Sequence, residues 1–472
     1  MVTHARSPVH ISGTQAYRYF FRFLLDPLAT VERAHNKFGP FIIINYRPIL
    51  WQRKFFKRKA AAVAIGPDFN QEILSDPVTW QTVSIGSGPR NSAARRVSVG
   101  LVSLQGDKHK YYRQLFIPPM SRKNIDAQSD LIGNTAVAEV ERWPLNETID
   151  LWACSRALLQ NFAITLLFGN DCARGIPVAE LIHQLFSNTA SWPVWLFPFN
   201  ISGTPYNLML RDGELLQSRI FEWAKCRRRI VDSKDLLSIV TNSPNENGAP
   251  HSEAEIAAHI PTLLGAAFET CQNTLIWTLV LLSQHPRIAR DLLDELRNRL
   301  AGAVPSLELI RDLPLLDAVI NESMRILPPV PQQFRVATKD TALANFPVRS
   351  RTKVLISPFL TNRNPDLYPE PDCFKPERWS SIKPSSYEFF VFSAGPRACP
   401  GFWFGTSVLK VAIAAIMTRF HIVLAPNARI DYKVRLALSP NGNVPATLKR
   451  QDGAVTRSSI QGSIRNLVRF PN

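Results

Sequence analysis

A cysteine flanked by glycines is the feature of this sequence whose residue types and spacing point most clearly to chemistry. Phe392, Gly395, Arg397, Cys399 and Gly401 follow the pattern F-x-x-G-x-R-x-C-x-G. Glycines allow tight turns and let a backbone approach a flat ligand closely, and an arginine can neutralise a carboxylate on that ligand. With average residue usage, the pattern arises by chance in about one chain of this length in ten thousand. The segment therefore predicts a ligand-binding loop, and the alternative is a buried structural cysteine in a turn.

Cys399 is the residue of this loop that can bind a metal. It lies just before an apolar stretch that is predicted to be helical from about Phe402. The positive end of the helix dipole favours a thiolate over a thiol. A thiolate in the axial position of haem iron pushes electron density onto the metal and favours cleavage of the O–O bond. The loop therefore predicts a thiolate-ligated haem.

This loop resembles the haem-binding loop of the cytochromes P450, and other segments match motifs of that family in the same order. Glu322-Ser-Met-Arg325 resembles the E-x-x-R motif, and Pro376-Glu-Arg378-Trp is similar to the P-E-R-F segment. The resemblance implies that Glu322, Arg325 and Arg378 form a buried, structural charge network. Alone, the Glu–Arg pair would indicate only exposed charges on a helix. The likeness is to the soluble, bacterial type of the family and covers residues 26–447.

The resemblance also implies which residues bind the carboxylates of haem b. His109 and Arg113 form an H-x-x-x-R pair on one helical face, and Arg335 stands where the family has a further propionate-binding arginine. An exposed polar helix face is the alternative for His109 and Arg113. The full expected haem-binding set is Cys399, His109, Arg113, Arg335, Arg397, Phe392, Gly395 and Gly401.

The catalytic pair is expected on a long helix. Residues 266–270 resemble the family motif (A/G)-G-x-(D/E)-T, so Thr270 would stabilise iron-bound peroxide and relay protons that Glu269 supplies. The helix would bow there, because a hydroxyl and a water can enter its backbone ladder. The alternative is a threonine bonded to its own helix beside an exposed glutamate. Ala267 replaces a frequent glycine and adds a methyl group near the oxygen pocket.

Hydrophobic patterns indicate the elements that hold these residues. Ser252 and Glu255 form a capping box, and His285-Pro286 ends the helix that follows after about 32 residues. Pro261 is expected to kink this helix. We expect a mainly α fold with a small β lobe, with haem between the long central helix and the cysteine loop. One domain would span 1–472, with an N-terminal extension at 1–25, strands at 41–44 and 60–65, and a basic tail at 449–472.

Composition and charge narrow the class of protein. The 472 residues are 45% apolar and 20% charged, which is typical of a folded protein. Lys and Arg number 55 against 38 Asp and Glu, so acidic partners are favoured, but no nucleic-acid-binding motif is visible. Six dispersed cysteines without a CxxC pair argue against disulfides or structural zinc and fit the cytoplasm. The short aromatic run at 17–25 cannot span a bilayer.

The resemblance implies a monooxygenase that inserts one atom of O2 into a lipophilic small molecule. A monomer is expected, with electrons from an external ferredoxin or flavodoxin and its reductase, because the family domain takes up the chain. One alternative is a haem-thiolate peroxygenase, or an isomerase or dehydratase that does not use O2; another is a non-catalytic haem-binding sensor. The aromatic loop with Trp192, Trp195, Phe197 and Phe199 would be either a peripheral membrane contact or an ordinary lid. Apolar substrate-lining segments are implied at 80–104, 186–206, 263–270, 330–334 and 438–444.

Overall fold

The computed structural model describes residues 7–46, 59–83, 86, 88–189, 191–227 and 235–471. The side chains of Tyr46, Lys59, Trp192 and Trp195 and residues 84, 85 and 87 of the first substrate-lining segment lie outside this description. The α-helices are α1 Gly13–Leu25, α2 Pro27–Phe38, α3 Pro67–Ser75, α4 Ala93–Arg96, α5 Gly106–Phe116, α6 Arg122–Asp126, α7 Ser129–Val140, α8 Leu151–Leu167, α9 Cys172–Thr189, α10 Trp192–Leu196, α11 Pro205–Arg227, α12 Leu236–Asn242, α13 Glu253–Gln284, α14 Pro286–Leu300, α15 Leu307–Ile310, α16 Pro314–Ile326, α17 Pro358–Thr361 and α18 Phe402–Arg419.

Short strands and 3-10 turns complete the structure. The strands are β1 Val9–Ile11, β2 Phe41–Tyr46, β3 Lys59–Ala64, β4 Trp80–Thr82, β5 Thr148–Asp150, β6 Gln333–Ala337, β7 Thr341–Leu343, β8 Phe346–Val348, β9 Lys353–Ile356, β10 Phe420–Leu424, β11 Ala428–Arg429, β12 Tyr432–Val434, β13 Leu438–Pro440, β14 Pro445–Arg450 and β15 Ile460–Gln461. The 3-10 turns are Leu101–Ser103, Pro118–Met120, Pro376–Ser380, Gly395–Arg397 and Ser463–Asn466.

The first of two compact units is built around a mixed sheet. It comprises the described residues of Met1–Val83, Val330–Asp372 and Ile382–Cys399. The strand order is β1-β2-β3-β9-β6-β4, in which β3 runs parallel to β9, pairing Ala61 with Lys353. Strand pairing thus joins segments that are far apart in the chain. Its core consists of Phe41, Ile43, Ala62, Ala64, Phe69, Ile73, Leu74, Trp80, Ala337, Leu343, Val348, Val354, Ile356, Phe390 and Ala394.

The second unit is mainly helical and is organised around α13. It comprises the described residues of Ser84–Pro329, Cys373–Ser381 and Pro400–Asn472. Helix α13 packs against α8, α9, α11, α16 and α18. Every residue from Cys271 to Gln284 is buried, so the second half of α13 has no polar face in contact with solvent. Because the second half of α13 is packed on all sides, it anchors the helix and so holds the side chains of the first half in fixed directions.

The ends of α13 are those that the sequence predicts. Ser252 accepts a hydrogen bond from the Glu255 backbone N–H, and the Glu255 carboxylate accepts one from the Ser252 N–H at 2.9 Å, which completes the capping box. Burial opposes ionisation of Glu255, but the hydrogen bonds that its carboxylate accepts from Ser252, Asn245 and Tyr112 outweigh burial and lower its pKa to about 2. The helix continues without a break through Pro261.

The region between α9 and α11 differs from the expected aromatic loop. A short helix, α10, occupies its first residues, and Pro193 at the second helical position suits this start because the first N–H groups of a helix need no partner. The following residues are irregular, with Phe197, Phe199 and Ile201 exposed.

Among the described residues, one helix, α18, is long and apolar enough to cross a membrane. Of its residues, 61% are buried within the protein, as is common for a core helix that does not cross a membrane.

Candidate active site

The Cys399 loop is held in shape by its own backbone. The Cys399 N–H donates to the Phe392 carbonyl at 2.8 Å, and residues 395–397 form a 3-10 turn. Gly395 has φ +64°, and a Cβ there would lie 2.4 Å from the Leu74 carbonyl, so only glycine fits. The Cys399 side chain is exposed rather than buried. An exposed thiol at the end of a closed loop does not match the alternative of a buried structural cysteine, and it suits a ligand-binding thiolate.

Arg335 and Arg397 place two guanidinium groups in the same unit. Arg335 lies on β6, is 6% exposed, and donates to the Phe334 carbonyl at 3.0 Å and to Gln333 Oε1 at 3.2 Å. Burial and the positive charge of Arg397 lower the pKa of Arg335 to about 10. Two guanidinium groups that repel each other in a buried environment fit a dianionic ligand, because carboxylates would offset both charges.

In the helical unit, His109 and Arg113 lie on α5. His109 is 9% exposed and Arg113 is half-buried, so the alternative of an exposed polar face does not describe them. Between them, Tyr112 donates to Glu255 Oε1 at 3.2 Å, and its ring centroid is 4.2 Å from that of His259. These contacts fix α5 against the start of α13 and thereby orient His109 and Arg113.

The Glu269–Thr270 pair lies near the middle of α13. The Thr270 hydroxyl donates to the Ala266 carbonyl at 3.2 Å, as in the alternative of a threonine bonded to its own helix. Glu269 is not exposed as that alternative assumes: its side chain is 17% exposed, and its Oε1 lies 2.6 Å from His183 Nδ1. Ala266, one turn before Thr270, is exposed although Gly265 and Ala267 are buried. The helix face that carries this pair is therefore open at Ala266.

Glu322 joins two arginines in a fully buried network. Its carboxylate accepts hydrogen bonds from Arg325 Nε at 2.9 Å and Nη2 at 2.8 Å, and from Arg378 Nε at 3.0 Å. The indole of Trp379 and the backbone N–H of Lys375 add bonds of 3.0 Å each. Glu322 and Arg325 have no exposed side-chain surface. This network joins α16 to the 376–380 turn, and it does not match ordinary exposed helix charges.

A comparison with protein-family models gives one match that covers most of the chain. The cytochrome P450 model matches residues 53–443. The chain belongs to the cytochrome P450 family. This match confirms the family resemblance that the five sequence motifs indicate, and family membership implies a haem cofactor and oxidoreductase chemistry.

Curated P450 relatives are similar at low identity. A cyclooctat-9-en-7-ol 5-monooxygenase of Streptomyces melanosporofaciens is 26% identical over 78% of this chain and 82% of its own length. A pentalenene oxygenase of Streptomyces avermitilis is 26% identical over 76% of this chain and 82% of its own. A beta-amyrin 6-beta-monooxygenase of Solanum lycopersicum is 30% identical over 50% and 51%. These names support monooxygenase chemistry in general.

Solved P450 structures share the fold. A cyanobacterial P450 with bound retinoic acid has a TM-score of 0.80 at 21% identity, over 94% of this chain and 99% of the other. The haem domain of another P450 has a TM-score of 0.78 at 18% identity, over 95% and 98%. The predicted P450 fold, mainly α with small β sheets, is thereby confirmed. The placement of haem between α13 and the Cys399 loop stays a prediction.

The residues present fit a haem. The Cys399 loop offers an exposed thiol, and Arg335 with Arg397 offers two cations that suit two propionates. The structure brings together Arg335 with Arg397, Glu322 with Arg325 and Arg378, and His109 with Arg113 on α5. The individual roles of these residues stay predictions.

Sequence patterns missed two partners of this P450 site. His183 binds Glu269 from 86 residues away, and no local spacing signals such a pair. Trp379 was matched only as the last position of the P-E-R-F segment, whereas its indole donates to Glu322. The indole N–H was a usable signal, because a buried tryptophan usually finds an acceptor.

Proposed function

We propose that this P450 is a monooxygenase that inserts one oxygen atom of O2 into a lipophilic small molecule and releases the other as water. The observation that carries the proposal is the acid–alcohol pair Glu269–Thr270 on an open face of α13, in a chain with an exposed Cys399 thiol. The pair favours a monooxygenase, because O2 must take up two protons for the oxygen atom that leaves as water, whereas hydrogen peroxide already carries both.

We propose that the Cys399 thiolate would hold the iron of haem b. When bound, haem supplies the activation of O2 that the side chains of a protein cannot perform alone. Arg335, Arg397, His109 and Arg113 would bind the propionates through charge-assisted hydrogen bonds. Phe392, Gly395 and Gly401 would shape the loop around the porphyrin.

Thr270 and Glu269 are the proposed proton-delivering residues. The Thr270 hydroxyl bonds to the Ala266 carbonyl, and a rotation about its side-chain bond would turn the proton toward the open helix face. Glu269 would then resupply the proton. Ala267 is buried, so its added methyl group lies within the packing of α13 and does not narrow the open face.

A lipophilic substrate is supported by the apolar character of the segments that the family uses. In the helical unit, Val102 is 45% exposed, and Ala266 is exposed on α13. Relatives are named for pentalenene and beta-amyrin. We propose pentalenene, beta-amyrin and other lipophilic small molecules as the first compounds to screen.

We further propose that this P450 is a monomeric cytoplasmic protein that receives electrons from an acidic ferredoxin or flavodoxin. The formal charge of +17 favours such a donor through long-range attraction.

The exposed Phe197, Phe199 and Ile201 support a peripheral membrane contact more than a lid, because a lid would bury them. A membrane would also concentrate a lipophilic substrate.

The experiment that tests the proposed function is the absorption spectrum of the dithionite-reduced protein under carbon monoxide. We expect a Soret band red-shifted to the position of thiolate ligation. The band should shift to the position of histidine or weakly ligated haem in Cys399→Ala, and stay in place in Cys271→Ala, which removes another thiol. A folded protein without haem, or a wild-type band at the histidine position, would contradict the proposal.

Once haem binding is established, turnover assays distinguish between the candidate reactions. With an electron donor and a binding substrate, the monooxygenase proposal requires one labelled oxygen atom from 18O2 in the product. Product formed only from hydrogen peroxide would favour a peroxygenase instead.

A further inference from the structure

A cleft in the helical unit has no role in the proposed reaction. Its volume is about 610 Å³, which lies within the roughly 300–1,000 Å³ that is typical of small-molecule sites. Side chains of α7, α14, α18, β10 and β14 line it, together with residues that follow α7 and α14. None of the described residues that line it belongs to a substrate-lining segment that the family resemblance implies. A molecule bound in this cleft would therefore be a second ligand.

The buried wall of the cleft is apolar. Val140 of α7, Leu300 of α14 and Phe420 of β10 line it and are 1%, 4% and 1% exposed. At its rim, Leu145 is 38% exposed and Val304 is 44% exposed. An alkyl chain that covers these side chains removes its own apolar surface and theirs from water. The wall therefore suits the apolar part of a ligand.

Three arginines give the cleft a positive rim. Arg297 lies in the last turn of α14, Arg419 ends α18 and Arg450 ends β14. Among the described residues that line the cleft, none is acidic. Arg419 pairs with Glu141 at 3.3 Å, but both side chains are about half-exposed, so this pair contributes little. Arg297 and Arg450 have no ion-pair partner in the described part of the chain, and their guanidinium groups can bind an anion.

Hydrogen bonds and strand pairing fix the backbone that carries Arg450. The side-chain amide of Gln451 donates to the Met417 carbonyl at 2.9 Å and to the Phe420 carbonyl at 3.0 Å, which joins the end of β14 to the end of α18. In the sheet, Arg450 lies opposite Phe420. The ring of Trp143 stacks on Phe420, with centroids 6.0 Å apart. A cation and an apolar wall are thus held next to each other, as a ligand with a charged head and an apolar chain requires.

We propose that this cleft binds a medium-chain carboxylate such as decanoate, with its alkyl chain on the apolar wall and its carboxylate at Arg297 and Arg450. A guanidinium group binds a carboxylate through two parallel hydrogen bonds. The carbonyl end of α14 lies at the same cleft, at Ala301, and carries the negative end of the helix dipole. This partial charge opposes a dianionic phosphate more than a monoanionic carboxylate. The site does not depend on which reaction the haem performs.

Binding of decanoate to the haem-loaded protein tests the proposal. Equilibrium dialysis with radiolabelled decanoate counts the bound molecules, and the haem absorption spectrum of the same samples reports binding beside the iron. We expect binding that leaves the spectrum unchanged. The double variant Arg297→Gln, Arg450→Gln should weaken this binding about tenfold or more, because charge-assisted hydrogen bonds are lost. Arg287→Gln is the matched control, since it removes the same charge from the exposed first turn of α14, and it should bind like the wild type. Absence of this binding, or equal affinity in the double variant, would overturn the proposal.

Three related compounds test the chemical class of the ligand. Decanol keeps the alkyl chain and lacks the charge, so it should bind about tenfold more weakly than decanoate. Decyl phosphate should also bind more weakly, and inorganic phosphate should not displace decanoate. Decanol that binds as tightly as decanoate would show that the arginines take no part. Tighter binding of decyl phosphate would identify a phosphate site instead, and displacement by inorganic phosphate would show that the apolar wall is not used. Each of these three results would overturn the proposal.

A new charge at the apolar rim provides an independent variant. Val304→Glu places a carboxylate on an exposed position, so the protein should still fold. We expect it to lose the binding that leaves the haem spectrum unchanged, because the new carboxylate repels decanoate and can pair with the arginines. Leu215→Glu introduces the same charge at a residue of α11 that is 46% exposed, and it should bind decanoate like the wild type. Undiminished binding in Val304→Glu would contradict the proposal.

Discussion

At the scale of single residues, the chemistry depends on a few charged side chains whose partners are buried with them. Glu322 accepts hydrogen bonds from two arginines, an indole and a backbone amide. Buried ion pairs are costly to form because both charges lose water, but breaking one leaves a charge with no compensation. The network therefore makes the local structure depend on every one of its members.

Glu322→Gln tests this dependence. We expect the free energy of unfolding to fall by about 3–5 kcal/mol, because two arginines would remain buried without a negative charge. Glu377→Gln is the matched control, since Glu377 is exposed beside Arg378, and it should change stability by no more than about 0.5 kcal/mol. Urea unfolding followed by circular dichroism measures both. Equal urea midpoints for the two variants would show that the buried charge of Glu322 does not stabilise the folded protein.

At the residue level, the sequence offers candidate site residues only where these residues are close in the chain. The Cys399 loop, the 322–325 pair and the 109–113 pair are local patterns with a fixed geometry on a loop or helix. His183 could not be found in this way, because its bond to Glu269 depends on how α9 packs against α13. Packing is a property of many side chains together, and no single spacing encodes it.

At the scale of elements, α13 combines a stable, buried second half with a first half that carries titratable groups. His259 is 2% exposed, and its Nδ1 has no hydrogen-bond partner among the described residues. Burial lowers its pKa to about 3. Between the ordinary histidine pKa and pH 3 the unfolded chain therefore binds a proton that the folded protein does not, so stability must fall as pH falls through this range.

His259→Leu should remove that dependence. The leucine keeps an apolar contact with Tyr112 and takes up no proton, so the loss of unfolding free energy between pH 7 and 3.5 should be smaller than in the wild type. The difference should reach about 4 kcal/mol at most, because the lowered pKa acts over about three pH units of this range. Chemical unfolding at a series of pH values measures it. Parallel stability curves for the two proteins would show that His259 is protonated in the folded state as easily as in the unfolded chain.

The elements were predictable where end signals are strong. The Ser252–Glu255 capping box and His285-Pro286 gave the bounds of α13, and the first strands were predicted within about one or two residues. Helix α10 was not, because proline and aromatic residues are poor helix formers and the helix is only one turn long.

At the scale of the whole molecule, the excess of positive charge is the property with the widest effect. Scattered charges act together on an approaching partner, and salt weakens that action. We expect the rate of reduction by an acidic ferredoxin to fall at least tenfold between about 0.05 and 0.5 M ionic strength. Stopped-flow spectroscopy measures this rate. An uncharged reductant serves as the control, and a salt-insensitive rate with ferredoxin would contradict docking by charge.

The strand pairing in the first unit also has a consequence for protein synthesis. Strand β3 pairs with β9, about 290 residues later in the chain. At about 5–20 residues per second, a ribosome needs roughly 15–60 seconds to make that interval. During this time, the edge of β3 that pairs with β9 in the folded protein is unpaired. Unpaired strand edges promote association between chains. Expression should therefore gain from slower initiation or added chaperones, which keep nascent chains apart until residue 356 has left the ribosome.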